Sequence, residues 1–190
     1  VLPALLEKRI VLERGRFVEV APPLLGEALA AEAIAGRPLA LPGLLVNLEG
    51  GARLRLLSRL RNIGESDDVD QAFESIFSPN GWFPDFESLL TRAEEFRSLA
   101  PGRPVGASGC LQRLLRGLAA STLKEKVIGT ARREIVWALS DLSLRRDTFH
   151  EAAGVLLCLA EGENEQFGNN ATGVLRELFH PFHPEVACPL

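Results

Sequence analysis

Apolar residues recur every three or four positions over most of the chain after residue 50. This spacing predicts amphipathic helices, because positions three and four apart lie on one face of a helix. Segment 67–77 shows it clearly, with Val69, Phe73, Ile76 and Phe77 on one predicted face. Segment 51–64 shows it again, with Leu56, Leu60 and Ile63 on one stripe.

The apolar repeat is most regular in segments 130–143 and 148–161. In the first of them, Ile135, Leu139 and Leu142 recur at helical spacing. It predicts two helices, and Thr148 with Glu151 three residues later has the form of a capping box at the start of the second. An unbroken inner stripe is predicted on that second helix, made of Phe149, Ala152, Ala153, Leu156, Leu157 and Ala160. We expect the core of this half to be built on Trp137, Leu139, Phe149 and Leu156.

The segment near residues 10–20 has a different period. The short runs "IVLER" and "FVEVA" are strand-like, and in the second a period of two places Phe17 and Glu19 on one face and Val18 and Val20 on the other, which predicts a small hairpin. Gly15 lies between them and can adopt the positive φ that a tight turn needs. Predicted helices flank this hairpin on both sides, so segment 1–36 has the element order of the C-terminal half of a winged helix.

Proline and glycine are concentrated in "GRPLALPGLLVNLEGG", which predicts a linker over 37–50. The chain is therefore expected to consist of a partial winged helix at 1–36, this linker, and a helical repeat-like domain at 51–190. The predicted class is mainly α, with the small hairpin followed by an irregular armadillo- or HEAT-like array. The repeats are called irregular because no motif recurs at a fixed period.

Composition limits the function classes. The chain has 190 residues, of which 46% are hydrophobic, and a net charge of −4 with interspersed acids and bases. This charge gives no global attraction to nucleic acid or to an anionic membrane. Three widely spaced cysteines and no membrane-spanning apolar run favour a cytoplasmic protein. The start lacks Met and falls inside an apparent helix, so we expect a piece of a longer protein.

The stretch "EGENEQFGNNATG" is the most distinctive in the chain. Gly162 and Gly168 are expected to interrupt the helices, and Asn169 or Asn170 to cap the next one. The three glutamates are expected to be solvated at the corner. The Asn-Ala-Thr pattern beginning at Asn170 fits N-glycosylation, but in a cytoplasmic protein it is expected to be a chance match. We therefore predict a joint between helices here.

Residues with catalytic or metal-binding chemistry are sparse. His180, His183 and Cys188 resemble part of a zinc site, but a structural zinc needs about four ligands. No Gly-x-x-x-x-Gly-Lys-Ser/Thr loop occurs, so nucleotide hydrolysis by this chain is not expected. Trp82 and Trp137 are interpreted as packing anchors. We predict no catalytic residue, no cofactor, no metal and no enzymatic activity.

Two stretches resemble a known family. "LLEKRIVLERGRFVEVAPPLLGEALAAE" resembles the winged-helix end that follows the ATPase module of large bacterial STAND-type NTPases. "ARREIVWALSDLSLRRDTFHEAAGVLLCLAEGENEQFGNNATGVLRELFHPF" is similar to the helical region that comes next in one group of them. The resemblance implies a regulated switch in bacterial signalling or phage defence. The chain lacks the family's Walker motifs, so no catalytic residue is carried over.

The leading hypothesis is a non-enzymatic regulatory and protein-interaction module. Its partner would be another protein or an adjacent ATPase module, and no membrane is involved. The alternative is a DNA-binding winged-helix regulator, with phosphate contacts from Arg9, Arg14 and Arg16. Three acidic residues among these arginines weaken that alternative: Glu7, Glu13 and Glu19. An enzyme with unfamiliar chemistry is the third hypothesis.

Overall fold

The computed structural model of the chain describes residues 2–7, 10–14, 17–20, 23–37, 41–63, 67–166 and 170–180. Over these ranges the protein is mainly helical, which confirms the predicted class. The helices are α1 (Leu2–Glu7), α2 (Pro23–Ala35), α3 (Leu41–Val46), α4 (Gly50–Leu60), α5 (Asp67–Phe77), α6 (Phe86–Thr91), α7 (Ala93–Leu99), α8 (Pro104–Leu115), α9 (Ala120–Lys126), α10 (Gly129–Ser143), α11 (Phe149–Glu161) and α12 (Ala171–Leu178), and a short 3₁₀ helix (Ala100–Gly102) precedes α8.

The predicted hairpin is present. Strands β1 (Val11–Arg14) and β2 (Phe17–Val20) pair antiparallel, with Val11 opposite Val20. Val11 is buried, because α1 packs against β1 and α2 packs against β2. The turn residue Gly15 lies outside the described residues. The order helix, hairpin, helix therefore agrees with the element order predicted for this end of the chain.

The segment predicted as a linker carries a helix, α3. Its Leu41 and Leu45 are buried in the same core as the helices that follow. Pro42 does not prevent this helix, because a proline in the first turn lacks only an amide that would have no partner within the helix. The division of the chain into domains on either side of 37–50 stays a prediction.

A continuous core runs from α3 to α12. The predicted face of α5 is buried, as the pattern of Val69, Phe73 and Ile76 indicates. Three aromatic rings meet at its end, those of Phe77, Phe83 and Phe96. Phe83 packs edge-to-face on Phe96 with centroids 5.1 Å apart. Helix α10 then packs between α7 and α11, and α11 packs against α8, α9 and α12. These contacts form the helical array.

The inner stripe predicted for α11 is wrong in one part. Leu156 is fully buried, but the adjacent Leu157 is 55% exposed. Successive residues of a helix point about 100° apart, and because Val155 and Leu156 already face the core, Leu157 points to its edge. Phe149 is half-buried and packs edge-to-face on Phe179 instead. The stripe that is buried consists of Ala152, Val155, Leu156 and Leu159.

The predicted capping box at the start of α11 is also wrong. Thr148 precedes the helix, but its side chain makes no capping hydrogen bond. The hydroxyl instead donates to the carbonyl of Leu142, at 2.6 Å, and is buried there. Thr148 therefore satisfies a carbonyl near the end of α10, because the short connection brings that carbonyl within reach.

Candidate functional site

The stretch between α11 and α12 is a joint built around one buried cation, Arg132 of α10. This side chain is 1% exposed. Its guanidinium donates to the carbonyl of Leu159 at 3.0 Å and to the carboxylate of Glu163 at 2.6 Å. Weaker contacts at 3.5 Å reach the carbonyls of Val127 and Gly162. Arg132 thereby ties α10 to the end of α11.

Glu163 accepts hydrogen bonds from both sides of this joint. One oxygen accepts from the backbone amides of Asn164 and Glu165 as well as from Arg132. The other accepts from the amide and the hydroxyl of Thr172, both at 3.0 Å. The expectation that all three glutamates are solvated is therefore wrong for Glu163, because a buried arginine at the joint requires a carboxylate.

Asn170 caps α12, as predicted. Its side-chain oxygen accepts from the amide of Gly173 at 2.6 Å, and its side-chain amide donates to the carbonyl of Glu165 at 3.1 Å. Asn170 and Thr172 both make hydrogen bonds within the protein, so the Asn-Ala-Thr pattern serves the joint. Gly168 and Asn169 lie outside the described residues.

Gly162 closes α11, as predicted, for a reason of packing. A Cβ on this residue would lie 2.6 Å from the backbone oxygen of Ala120, which is closer than real Cβ contacts occur. The C-terminal end of α11 therefore touches the start of α9. Two polar atoms of this joint, Arg132 Nε and Asn164 Oδ1, are buried without a hydrogen-bond partner among the described residues.

The acidity of Glu163 predicts a pH dependence of stability. Partial burial alone would raise its pKa, but hydrogen bonds from Thr172 and Glu165 and the charge of Arg132 together lower it. A lowered folded-state pKa means that stabilisation is full above the unfolded pKa of about 4.3 and is lost as pH falls through the folded pKa. We expect Glu163→Gln to remove this part of the pH dependence of the free energy of unfolding. Urea unfolding at several pH values measures it. Identical pH profiles for the two proteins would contradict this role.

An apolar groove lies between α11 and α12, on the surface that the joint holds in place. Its volume is about 510 Å³, and it is lined by Ala153, Gly154, Leu157, Leu175, Arg176 and Phe179. Leu157 and Phe179 form exposed walls, at 55% and 62% exposure. The floor is low because Gly154 has no side chain, and a Cβ placed there would meet no atom of the described residues within 4 Å outside the backbone of α11.

Gly154 is not required by the packing of the protein itself. It lies inside α11, where glycine is less favourable than alanine by about 0.5–1 kcal/mol. Because the space above it is open, we expect Gly154→Ala to raise the free energy of unfolding by up to about 1 kcal/mol. Chemical unfolding of the two proteins measures this difference. A destabilised Gly154→Ala variant would contradict the open space above the residue.

The arginines proposed from the sequence as nucleic-acid contacts are only partly described. Arg9 and Arg16 lie outside the described residues, and Arg14 is described only as the last residue of β1. Of the imagined zinc ligands, His180 is exposed and follows α12, whereas His183 and Cys188 lie outside the described residues. Within the described ranges, no three His, Cys, Asp or Glu residues are grouped as metal ligands.

Both tryptophans pack against the guanidinium groups of arginines. Trp82 is buried and donates to Glu95 at 2.7 Å, and the guanidinium of Arg92 lies 4.1 Å from its ring centroid. Trp137 is half-buried, and the guanidinium of Arg97 lies 4.4 Å from the centroid of its ring.

Burial raises the pKa of the Cys110 thiol to about 11, despite a nearby arginine. This thiol is therefore neutral at physiological pH and a poor nucleophile.

The joint was predicted, but the buried Arg132–Glu163 pair within it and the groove beside it were missed by the sequence interpretation. Leu157 was placed in the core, and Gly154, Leu175 and Phe179 carried no signal that distinguishes them from packing residues. No protein-family model, curated protein or solved structure matches the chain. None of the described helices is both long enough and apolar enough to cross a bilayer.

Proposed function

We propose that the chain is a non-enzymatic regulatory and protein-interaction module that binds its partner through the groove between α11 and α12. The observation that supports this is the pair of exposed apolar walls, Leu157 and Phe179, on either side of a low floor at Gly154. Large apolar side chains exposed together are typical of protein-binding surfaces, whereas single exposed ones are ordinary.

The joint gives the groove a fixed shape. Arg132 and Glu163 connect α10, the end of α11 and the start of α12 through a buried ion pair and its hydrogen bonds. A groove whose two walls are held in register loses little conformational entropy when a partner binds. The polar residues of the distinctive stretch therefore act as positioning residues for an apolar surface.

We further propose that this module belongs to a bacterial STAND-type signalling ATPase that acts in the cytoplasm, as in phage defence. The support for this is the resemblance of the N-terminal and C-terminal stretches to the winged helix and helical region of that family. In this setting the helix–hairpin–helix segment packs on the adjacent ATPase module, and the array binds a protein partner. An open reading frame that continues upstream without an ATPase module would contradict the setting.

A differential capture experiment tests the interaction function. The chain and its Leu157→Glu variant are used as baits in lysate from the cells that encode the protein. Leu157 is exposed, so the variant is expected to fold, which circular dichroism checks. A protein retained by the unaltered chain and lost with Leu157→Glu supports the proposal. Equal retention of every captured protein by both folded baits would contradict it.

Duplex DNA is the alternative partner, and we expect it to bind weakly. Glu13 is exposed on β1, directly before Arg14, and its carboxylate repels phosphate. Binding is therefore expected to be lost at about 150 mM salt, and Arg14→Ala with Arg16→Ala to change it little. A gel-shift titration measures this. Submicromolar affinity at that salt, weakened by these substitutions, would favour the DNA-binding alternative.

A further inference from the structure

We infer that the partner element is an amphipathic α-helix that lies in the groove, with apolar side chains over Gly154 and an acidic side chain paired with Arg176. This inference rests on the proposed interaction function and specifies the chemistry of the partner. It follows from three properties of the groove: its helical walls, its low floor and its charge.

The walls of the groove favour a helix over an extended peptide. They are formed by α11 and α12, whose backbone amides and carbonyls are largely paired within each helix. An extended peptide that binds by strand addition needs the hydrogen bonds of an open sheet edge, and these walls offer none. A helix satisfies its own backbone groups and needs only an apolar surface for its side chains.

The floor of the groove allows a close approach. A Cβ at Gly154 would meet no described atom outside the backbone of its own helix within 4 Å, so this glycine leaves room that the described residues do not fill. Gly106 of α8 differs, because a Cβ there would contact Phe77 at 3.2 Å and internal packing explains it. Helices that pack ridge into groove approach to about 8–10 Å, and small residues allow the closer end of that range.

The charge of the groove selects an acidic partner. Arg176 is the charged residue among those that line it, and its side chain is exposed. No carboxylate among the described residues forms an ion pair with it. A glutamate or aspartate at the edge of the partner's apolar face would complement this cation and fix the direction of the helix.

A pair of peptides tests the inference. Each is a designed helix of about 16 residues with leucines at i, i+3, i+4 and i+7. One peptide carries a single glutamate at the edge of this face, and its twin carries lysine there. Fluorescence anisotropy with the full chain measures both affinities. We expect the glutamate peptide to bind and the lysine peptide to bind about three- to fivefold more weakly.

Two substitutions locate the binding. Gly154→Gln fills the floor with a good helix former and is expected to weaken binding at least about tenfold. Gly109→Gln is the matched control, because Gly109 lies in α8, away from the groove, and is equally open to a Cβ. It should leave binding unchanged. Arg176→Glu should reverse the preference, so that the lysine peptide binds more tightly than the glutamate peptide.

Four results would overturn the inference. The first two are no binding of either peptide up to about 100 µM and an equal loss of peptide affinity in Gly154→Gln and Gly109→Gln. The third is an Arg176→Glu variant that still prefers the glutamate peptide. The fourth is a groove that binds the fatty acid dodecanoate and neither peptide. Self-association of the chain that Gly154→Gln abolishes would identify a second copy as the occupant instead. If capture of a partner depends on Leu157 but not on Gly154, the proposed function stands and the helical partner does not.

Discussion

Replacement of Arg132 by alanine is expected to lower the free energy of unfolding by about 3–5 kcal/mol, because removing one partner of a buried ion pair leaves the other uncompensated. Arg132 is 1% exposed and binds Glu163 together with the carbonyl of Leu159. Glu163 keeps some access to water, at 21% exposure, so the lower end of that range is expected. Urea unfolding followed by circular dichroism measures the loss.

Arg116→Ala is the matched control for this change. Arg116 is exposed directly after α8, and its side chain makes no hydrogen bond or ion pair with the described residues. Its replacement should change stability by less than about 0.5 kcal/mol. Arg132→Met keeps most of the apolar packing and separates the charge from the volume. A loss below about 1 kcal/mol for Arg132→Ala would show that the joint does not hold the helices together.

Leu156→Ala is expected to lower the free energy of unfolding by about 2–5 kcal/mol, through lost burial and the cavity that remains. Leu156 is fully buried in the stripe of α11 that faces the core. The same unfolding experiment measures the effect.

The neighbouring residue provides an internal control. Leu157 is 55% exposed in the same helix, so Leu157→Ala should cost less than about 0.5 kcal/mol. The two variants remove the same atoms from adjacent positions and differ only in the face on which they lie. Equal losses would mean that the orientation of α11 is wrong.

Local patterns predicted most of the fold. The hairpin followed from two short strand-like runs on either side of Gly15, and α5 followed from the helical spacing of Val69, Phe73 and Ile76. Leu157 was misplaced because the predicted stripe on α11 was too wide. Two adjacent leucines fit a helical repeat about equally well, and only contacts with other helices decide which one faces inward.

The joint itself was predicted, but its buried ion pair was not, because the two partners are far apart in sequence. Arg132 and Glu163 are separated by 31 residues, and nothing local links them. A signal did exist, since Arg132 lies on the same predicted stripe as Ile135 and Leu139 and is therefore a charge on an apolar face. The groove had no such signal, because its walls come from α11 and α12 and meet only in the folded protein.

Amide hydrogen exchange of the chain, alone and with the protein that it captures, tests most directly whether the surface between α11 and α12 binds a protein partner. We predict that binding slows exchange in residues 153–157 and 175–179 and leaves the hairpin at 11–20 unchanged. Protection confined to the hairpin or to other helices, with both groove segments unchanged, would contradict the account.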